Sequence, residues 1–361
     1  MKVIVIGAGA AGLAIGWRLA QQGAETVVIE RGQPGQGATR AAAGMIAAPA
    51  EAETELARRG AELWPSFAGE IERASGRTIS WGVTGGLVVA KSPDELNALA
   101  ARARSRSGDL LTPDEARRIE PRLAPEIAGA LWIANESKVD NRALGPALAA
   151  AFVKAGGSLL VNETVVRFDL RDNKIQCVQT PFALYQSDAY VLAAGAWTSR
   201  IRGLPADVLP PIVPVKGEML AFDAPAGEKL PGPGLFGNDI YMIAQRGRLC
   251  VGATAERVGF DSSLTDAASS WLLDRGASLI PALRRWPVAE HWAGLRPGSP
   301  DDQPILGASA LDGLYIAGGQ FRSGILYTPA IAEALTALVL GNRVPFDFAA
   351  FTPRRFARNG A

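Results

Sequence analysis

Two cysteines and one histidine in 361 residues leave little material for thiol or metal chemistry. Cys177 and Cys250 stand far apart in alternating apolar segments, which reads as buried, reduced thiols; neither a disulfide framework nor a zinc site has support. Charge of one sign is missing too. With 37 basic and 36 acidic residues the net charge is +1, and no run of like charge favours nucleic acid or anionic lipid. No apolar run reaches the length of a bilayer span, and no internal repeat or low-complexity tract is visible. The opening MKVIVIGAGAAG is a strand where a signal peptide needs a longer apolar run and a cleavage site. The resulting expectation is a cytoplasmic protein without membrane or nucleic-acid partners that handles small molecules.

What the chain does have is an apolar fraction of 48% and enough length for two interleaved domains. Val3 to Ile6, Ala10 to Gln22 and Thr26 to Glu30 read as a βαβ opening. Helical patterns recur at Glu53 to Ala74, Pro93 to Arg106 and Asn141 to Ala155, and Thr112, Pro113 and Glu115 form a capping box. Strands are expected at Leu159 to Phe168, Lys174 to Thr180 and Ala189 to Ala193. The proline-dense Leu204 to Gly217 reads as an irregular crossing between domains. Alternating strands at Val215 to Phe222, Ile240 to Ala244 and Arg248 to Ala253 suggest an antiparallel sheet. A helix near Ala267 to Leu283 follows, and Leu314 to Ala317 is a buried strand. The fold class is therefore α/β combined with α+β: a Rossmann-type domain from residues 1–80, 139–205 and 308–361, and a substrate domain from 81–138 and 206–307.

IGAGAAG fits G-x-G-x-x-G: Gly7 makes the tight turn, Gly9 lets a pyrophosphate approach, and Gly12 permits close helix-to-strand packing. The helix N-terminus then offers free N–H groups and a positive dipole end to the phosphates. Glu30, closing the second strand, stands where an acidic residue meets ribose hydroxyls. Glycines alone do not separate NAD from FAD, although the glutamate disfavours a ribose phosphate. Further on, Arg322 lies in AGGQFRSGILYTPA among glycines and apolar residues, and Arg296 lies in GLRP. Either could pair with a structural carboxylate. Two guanidinium forks converging on one cavity would instead suit a small carboxylate.

Four segments, RGQPGQGATRAAAGMIAAPAE, VLAAGAWTSR, WAGLRPGSPDDQPILG and GGQFRSGILYTP, carry a resemblance that spans nearly the whole chain. In them the chain resembles the glycine oxidase and D-amino-acid oxidase family of FAD-dependent amine oxidoreductases, most of all its members associated with thiamine biosynthesis. The resemblance implies non-covalent FAD. It places Arg31, Thr39, Arg40, Ala42, Gly44 and Met45 around the flavin and its phosphates, Ala11 at the helix start, and Val165 at the adenine. Ala194, Gly195 and Trp197 would pass close to the dinucleotide, with Gly319, Arg322, Ser323, Gly324 and Ile325 at the ring. Thr328 and Pro329 read as the N-cap and first turn of the last helix, whose end similar proteins aim at the flavin.

The resemblance gives Arg296 the substrate carboxylate, sets Arg322 beside it, and makes Tyr241 the lid of the pocket. The implied reaction is hydride transfer from the Cα of a neutral amine to flavin N5, then imine hydrolysis and reoxidation by molecular oxygen. Orientation carries such a step, so His291 is not expected to act as a base. Family members form dimers or tetramers, which leaves a homo-oligomer open. Gln320 and Ser323 replace the histidine and asparagine of close glycine oxidases, and Ala244 and Gln245 replace a proline and an arginine. These departures leave glycine, sarcosine, a small D-amino acid or D-proline as substrates. A dehydrogenase with another acceptor and a non-catalytic FAD-binding subunit are the competing readings.

Overall fold

The computed structural model describes residues 1–46, 54–105, 108–237 and 239–356. The first residue of the expected helix at Glu53, the last of the one at Arg106, and residues 47–51 of the first resembling segment lie outside them. Lys2–Ile6 forms the inner strand of a six-stranded sheet in the order Ile305–Ala308, Leu314–Gly318, Ala189–Leu192, Lys2–Ile6, Glu25–Ile29, Ser158–Leu160. All neighbours are parallel except the outermost pair, Ile305–Ala308 with Leu314–Gly318. Period-two geometry divides the opening strand between two cores. Val3 and Val5 face a layer of helices, while Ile4 and Ile6 face a core shared with the small sheet Arg167–Arg171, Lys174–Gln179, Leu184–Tyr185.

The helices Ala10–Gln21, Glu55–Ser75, Asn141–Lys154 and Gly324–Val339 make up that layer. Glu55–Ser75 starts where Thr54 accepts the Ala57 N–H and stops at Gly76, whose φ of 71° is left-handed. Leu56, Gly60, Trp64, Phe67 and Ile71 recur on one face and pack inward. A Cβ on Gly60 would stand 2.4 Å from the Leu326 carbonyl, so this glycine sets how closely the helix meets the last one.

The second sheet has eight strands, in the order Val288–Gly298, Val213–Asp223, Arg248–Gly252, Ile240–Gln245, Gly234–Gly237, Gly86–Ala90, Gly129–Ile133, Asp109–Leu111. It is antiparallel, as expected, apart from one parallel pairing of Gly234–Gly237 with Gly86–Ala90. Leu220, Phe222, Met242 and Val251 pack beneath the helix Asp266–Ala277, and Met219, Ala221, Ile243 and Cys250 occupy the other face. Both cysteines are buried and free.

Five expectations need correction. Leu159 to Phe168 is two strands, Ser158–Leu160 and Arg167–Arg171, because Asn162 takes a left-handed φ of 56° and breaks the extended run. The proline-rich crossing becomes a strand at Val213. Pro214 fits there because, on the side away from Val288–Gly298, pairing starts only at the Lys216–Glu256 bridge, so its missing N–H breaks no ladder. The helix near Ala267 stops at Ala277, with a short 3₁₀ turn from Pro281. The last helix begins at Gly324, a turn before the expected Thr328 cap. Thr328 instead donates its hydroxyl back to the Gly324 carbonyl at 2.8 Å. Pro329 lacks the N–H that would serve the Ile325 carbonyl, which receives the buried Trp64 indole N–H at 3.1 Å. The boundary drawn between 307 and 308 also falls within Ile305–Ala308, all of which belongs to the first sheet.

Candidate active site

A cavity of about 380 Å³ runs from the carboxyl ends of the parallel strands to the face of the second sheet. At its first end, Gly7 has a φ of 107°, and a Cβ there would lie 2.4 Å from the Ala193 carbonyl. A Cβ on Gly12 would lie 2.0 Å from the Gly7 carbonyl. Both glycines are required by backbone meeting backbone. Gly9 differs: a Cβ there would meet only the Thr39 hydroxyl, at 3.6 Å, and would otherwise fill the cavity. Thr39 Oγ1 accepts the Ala10 N–H at 3.0 Å. The next N–H groups of the helix, on Ala11 and Gly12, border the cavity without an acceptor among the described residues. This cradle fits a dinucleotide pyrophosphate.

Glu30 lines the cavity and braces the turn, accepting the N–H groups of Ala8 at 2.7 Å and Gly32 at 2.9 Å. A carboxylate has about four lone-pair sites, so capacity remains for ribose hydroxyls. Next to it the Arg31 guanidinium sits 3.4 Å from the centre of the Trp197 ring, and Phe260 closes on Trp197 at 4.7 Å. Arg200 covers Phe260 at 4.3 Å, which completes a stack of cation, two rings and cation. Burial draws the Arg31 pKa below the ordinary arginine value, against the pull of Glu30. Phe260 lies between the strand Arg248–Gly252 and the helix Asp266–Ala277, so the stack ties the second sheet's loops to the nucleotide end.

Of the residues expected around the cofactor, Gly7, Gly9, Ala11, Gly12, Glu30, Arg31, Thr39, Ala42, Gly44, Met45, Val165, Ala194, Gly195, Trp197, Arg322, Ser323, Gly324 and Ile325 all line this cavity. Arg40 and Gly319 do not. Arg40 is exposed, and its carbonyl is held from behind by Asn141 Nδ2 at 2.9 Å. Gly319 turns the chain with a φ of 67° against Ile305 and Gln303. Gln245 is a further residue without a forward role: its amide donates to Ala43 and Val139 carbonyls at 3.0 and 2.8 Å, bracing Gly44 from outside the cavity. Ala244 also stays off the lining, whereas Gln320 and Ser323 are on it.

The second sheet supplies the other wall. Arg296, on the strand Val288–Gly298, is opposite Val215, so its side chain lies diagonally across Gly217. A Cβ on Gly217 would stand 2.2 Å from Arg296 Nη1 and 2.5 Å from Cζ. The guanidinium thus lies against bare backbone, which fixes its plane. Nη1 donates to the Thr254 carbonyl at 2.9 Å. Tyr241 and Met219 flank it on the lining, with the tyrosine hydroxyl 3.7 Å from the Met219 sulfur. Arg322 also lines the cavity, but it is exposed and its guanidinium packs 5.2 Å from the Phe321 ring.

Behind the clamp is a buried charge network. Glu218 accepts Lys216 at 2.9 Å and the Thr265 N–H at 3.0 Å, while Lys216 also reaches Glu256 at 3.3 Å. Glu256 accepts the Thr254 hydroxyl at 2.8 Å, and that hydroxyl in turn accepts the Glu218 N–H at 2.9 Å. Burial pushes the Glu218 pKa up, but hydrogen bonds from Lys216 and Thr265 outweigh it and leave the carboxyl below its usual range. Lys216 is held above the ordinary lysine value by Glu218 and Glu256. His291, on the strand Val288–Gly298, lies 2.8 Å from Glu218 and off the cavity lining. Gly217, Thr254 and Lys216 were missed in the sequence. A glycine inside the alternating run VKGEML was the available signal, since such a glycine often marks close approach.

Comparison with known proteins adds to this geometry. The family described as FAD dependent oxidoreductase (DAO) matches residues 2–338. The glycine oxidase of Geobacillus kaustophilus is 33% identical over 98% of this chain and 96% of its own. Its crystal structure superposes with a TM-score of 0.92 at 30% identity, covering 100% of this chain and 99% of that one. The bifunctional ThiO/ThiG protein of Synechocystis is 33% identical over 98% of this chain, which spans about half, 54%, of that relative's length. The iminodiacetate oxidase of Chelativorans superposes with a TM-score of 0.89 at 28% identity, covering 97% of this chain and 98% of that one. The chain is accordingly FAD-dependent, and the glycine cradle and Glu30 at the cavity's first end fit such a dinucleotide. Among the described residues no helix is long and apolar enough to cross a membrane, and no cluster of metal-ligating side chains is present.

Proposed function

Since the chain belongs to the DAO family of FAD-dependent oxidoreductases, we propose that it oxidatively deaminates glycine or another small amino acid, such as sarcosine or a small D-amino acid, with molecular oxygen as acceptor. The observation that carries this reading is the Arg296 guanidinium, packed against Gly217 on the cavity wall that the second sheet supplies. A planar fork fixed by backbone suits two parallel hydrogen bonds to one carboxylate. The relatives named glycine oxidase and iminodiacetate oxidase are each named for an amine that bears a carboxylate.

FAD, held by the glycine cradle and Glu30, would supply the two-electron redox chemistry between the substrate Cα–H and oxygen, with hydrogen peroxide as the reduced product. Arg296 sets the orientation that makes this transfer productive. Tyr241 and Met219 restrict the space left for a side chain. No histidine lines the cavity, and with the amine neutral no protein base has to remove a proton before transfer. The imino acid hydrolyses in water to a 2-oxo acid and ammonia, or methylamine where sarcosine is the substrate.

The test is anaerobic addition of glycine, sarcosine, D-alanine and D-proline to the purified flavoprotein, followed by air. Bleaching of the visible flavin band by a small amino acid and stoichiometric peroxide on reoxidation are expected. Bleaching without peroxide contradicts the oxygen acceptor in favour of a dehydrogenase. No bleaching with any of the four contradicts the substrate class.

A further inference from the structure

One buried donor at the cavity has no hydrogen-bond partner among the described residues. Gln320 is 7% exposed, lines the cavity, and its side-chain Nε2 has no hydrogen-bond partner. Buried polar atoms are paired in the great majority of cases, and an unpaired one calls for an explanation. Gln320 cannot relax easily. Its carbonyl accepts the Ser323 N–H at 3.2 Å, and the next residue, Phe321, is locked at a left-handed φ of 45° with its N–H on the Pro297 carbonyl at 3.0 Å.

Placement in the fold says which occupant takes the donor. Gln320 follows the carboxyl end of Leu314–Gly318, as Gly7, Glu30 and Ala194 follow the ends of the other parallel strands on that edge. Ligands of open parallel sheets lie outside those ends. Arg296 and Tyr241, the substrate groups, come from the other sheet. The bond from Phe321 to Pro297, next to Arg296, sets Gln320 beside the part of the cavity where the second sheet meets the strand ends.

We propose that Gln320 is a cofactor-positioning residue whose amide donates a hydrogen bond to an acceptor atom of the flavin ring, raising FAD affinity and the ease of flavin reduction together. A donor aimed at the ring is worth more when the ring becomes electron-rich, so it favours the reduced form. The inference rests on FAD in the cavity and not on which amine is oxidised, so it can fail while the proposed reaction stands.

The experiment compares wild type with Gln320→Met, which keeps length without a donor, and Gln320→His, which restores one. FAD titration of stripped protein and the midpoint potential of the holoprotein are measured, with far-UV circular dichroism confirming that each variant is folded. For the methionine variant we expect about tenfold weaker FAD binding and a reduction equilibrium about tenfold less favourable, roughly 30 mV lower for two electrons, with both recovered by histidine. Unchanged affinity and potential in a folded Gln320→Met protein overturn the proposal. So does a change confined to the KM for glycine, which gives the amide to the substrate instead.

Discussion

The nucleotide cradle and the proposed substrate end of this cavity are built on opposite principles. The first is made by leaving side chains out: Gly7, Gly9 and Gly12 let backbone meet backbone and ligand, and the bonding groups are main-chain N–H. The second is made by a long side chain, Arg296, and a single omission, Gly217, serves to seat it. The difference teaches where each end is vulnerable. A backbone cradle fails sterically and completely, whereas a propped side chain fails by degrees as its supports are removed.

The largest expected effect is on the cradle. Gly12→Val sets its Cβ against the Gly7 carbonyl, where the added atom of even alanine would lie at 2.0 Å. The variant should be purified without bound flavin and show no saturable FAD binding by fluorescence titration. Full retention of FAD would erase the contrast between the two ends.

Gly217→Ala attacks the clamp and leaves the cradle alone. The new methyl must displace a guanidinium nitrogen now 2.2 Å from its position. A shift of about 1 Å in a group that orients substrate costs roughly 100-fold in kcat/KM, so that loss should occur with FAD affinity unchanged. Steady-state kinetics with glycine and an FAD titration check both halves of the statement.

A smaller effect separates the seat from its deeper support. The Glu218 carboxylate has a folded pKa below its unfolded value, so the stability it contributes is fully present above the ordinary carboxylate range. That contribution is lost as pH falls through the depressed value. Lys216, raised by the same pair, acts in the other direction and loses its contribution only as pH climbs past its own elevated pKa. Glu218→Gln leaves Lys216 with the Glu256 carboxylate and the Ser263 carbonyl, so its cost at neutral pH should fall below the figure of about 3–5 kcal/mol for a buried pair broken outright. Thermal melts from pH 3 to 8 should show a lower Tm at neutrality and a shallower decline in acid than the wild type.

The same contrast decides how much could be read from the sequence. The βαβ opening, the capping box at Thr112 and the glycine motif are local signals, each complete within a few residues, and all are in the structure. Where local signals competed with tertiary pairing, tertiary pairing won. Pro214 reads as a breaker but sits where one side of its strand is not yet paired, and Thr328 reads as a cap but lies within a helix whose carbonyl at Ile325 is served by Trp64. The motif arginine at 296 was legible, yet its seat was not, because Gly217 and Thr254 meet it through sheet register and a side-chain bond. Arg40 shows the converse: its motif is in the sequence, but the short helix Ala38–Ala41 turns its side chain to solvent.

The most direct test of the clamp is anaerobic flavin reduction by glycine and by glycinamide, in wild type and in Arg296→Lys. Glycine should bleach the wild-type flavin and glycinamide should not. The lysine variant should need roughly 10–100-fold more glycine, the loss of about 1.5–3 kcal/mol for a hydrogen bond to a charged group. Equal bleaching by glycinamide, or an unchanged glycine requirement in the variant, would show that Arg296 does not hold the substrate carboxylate.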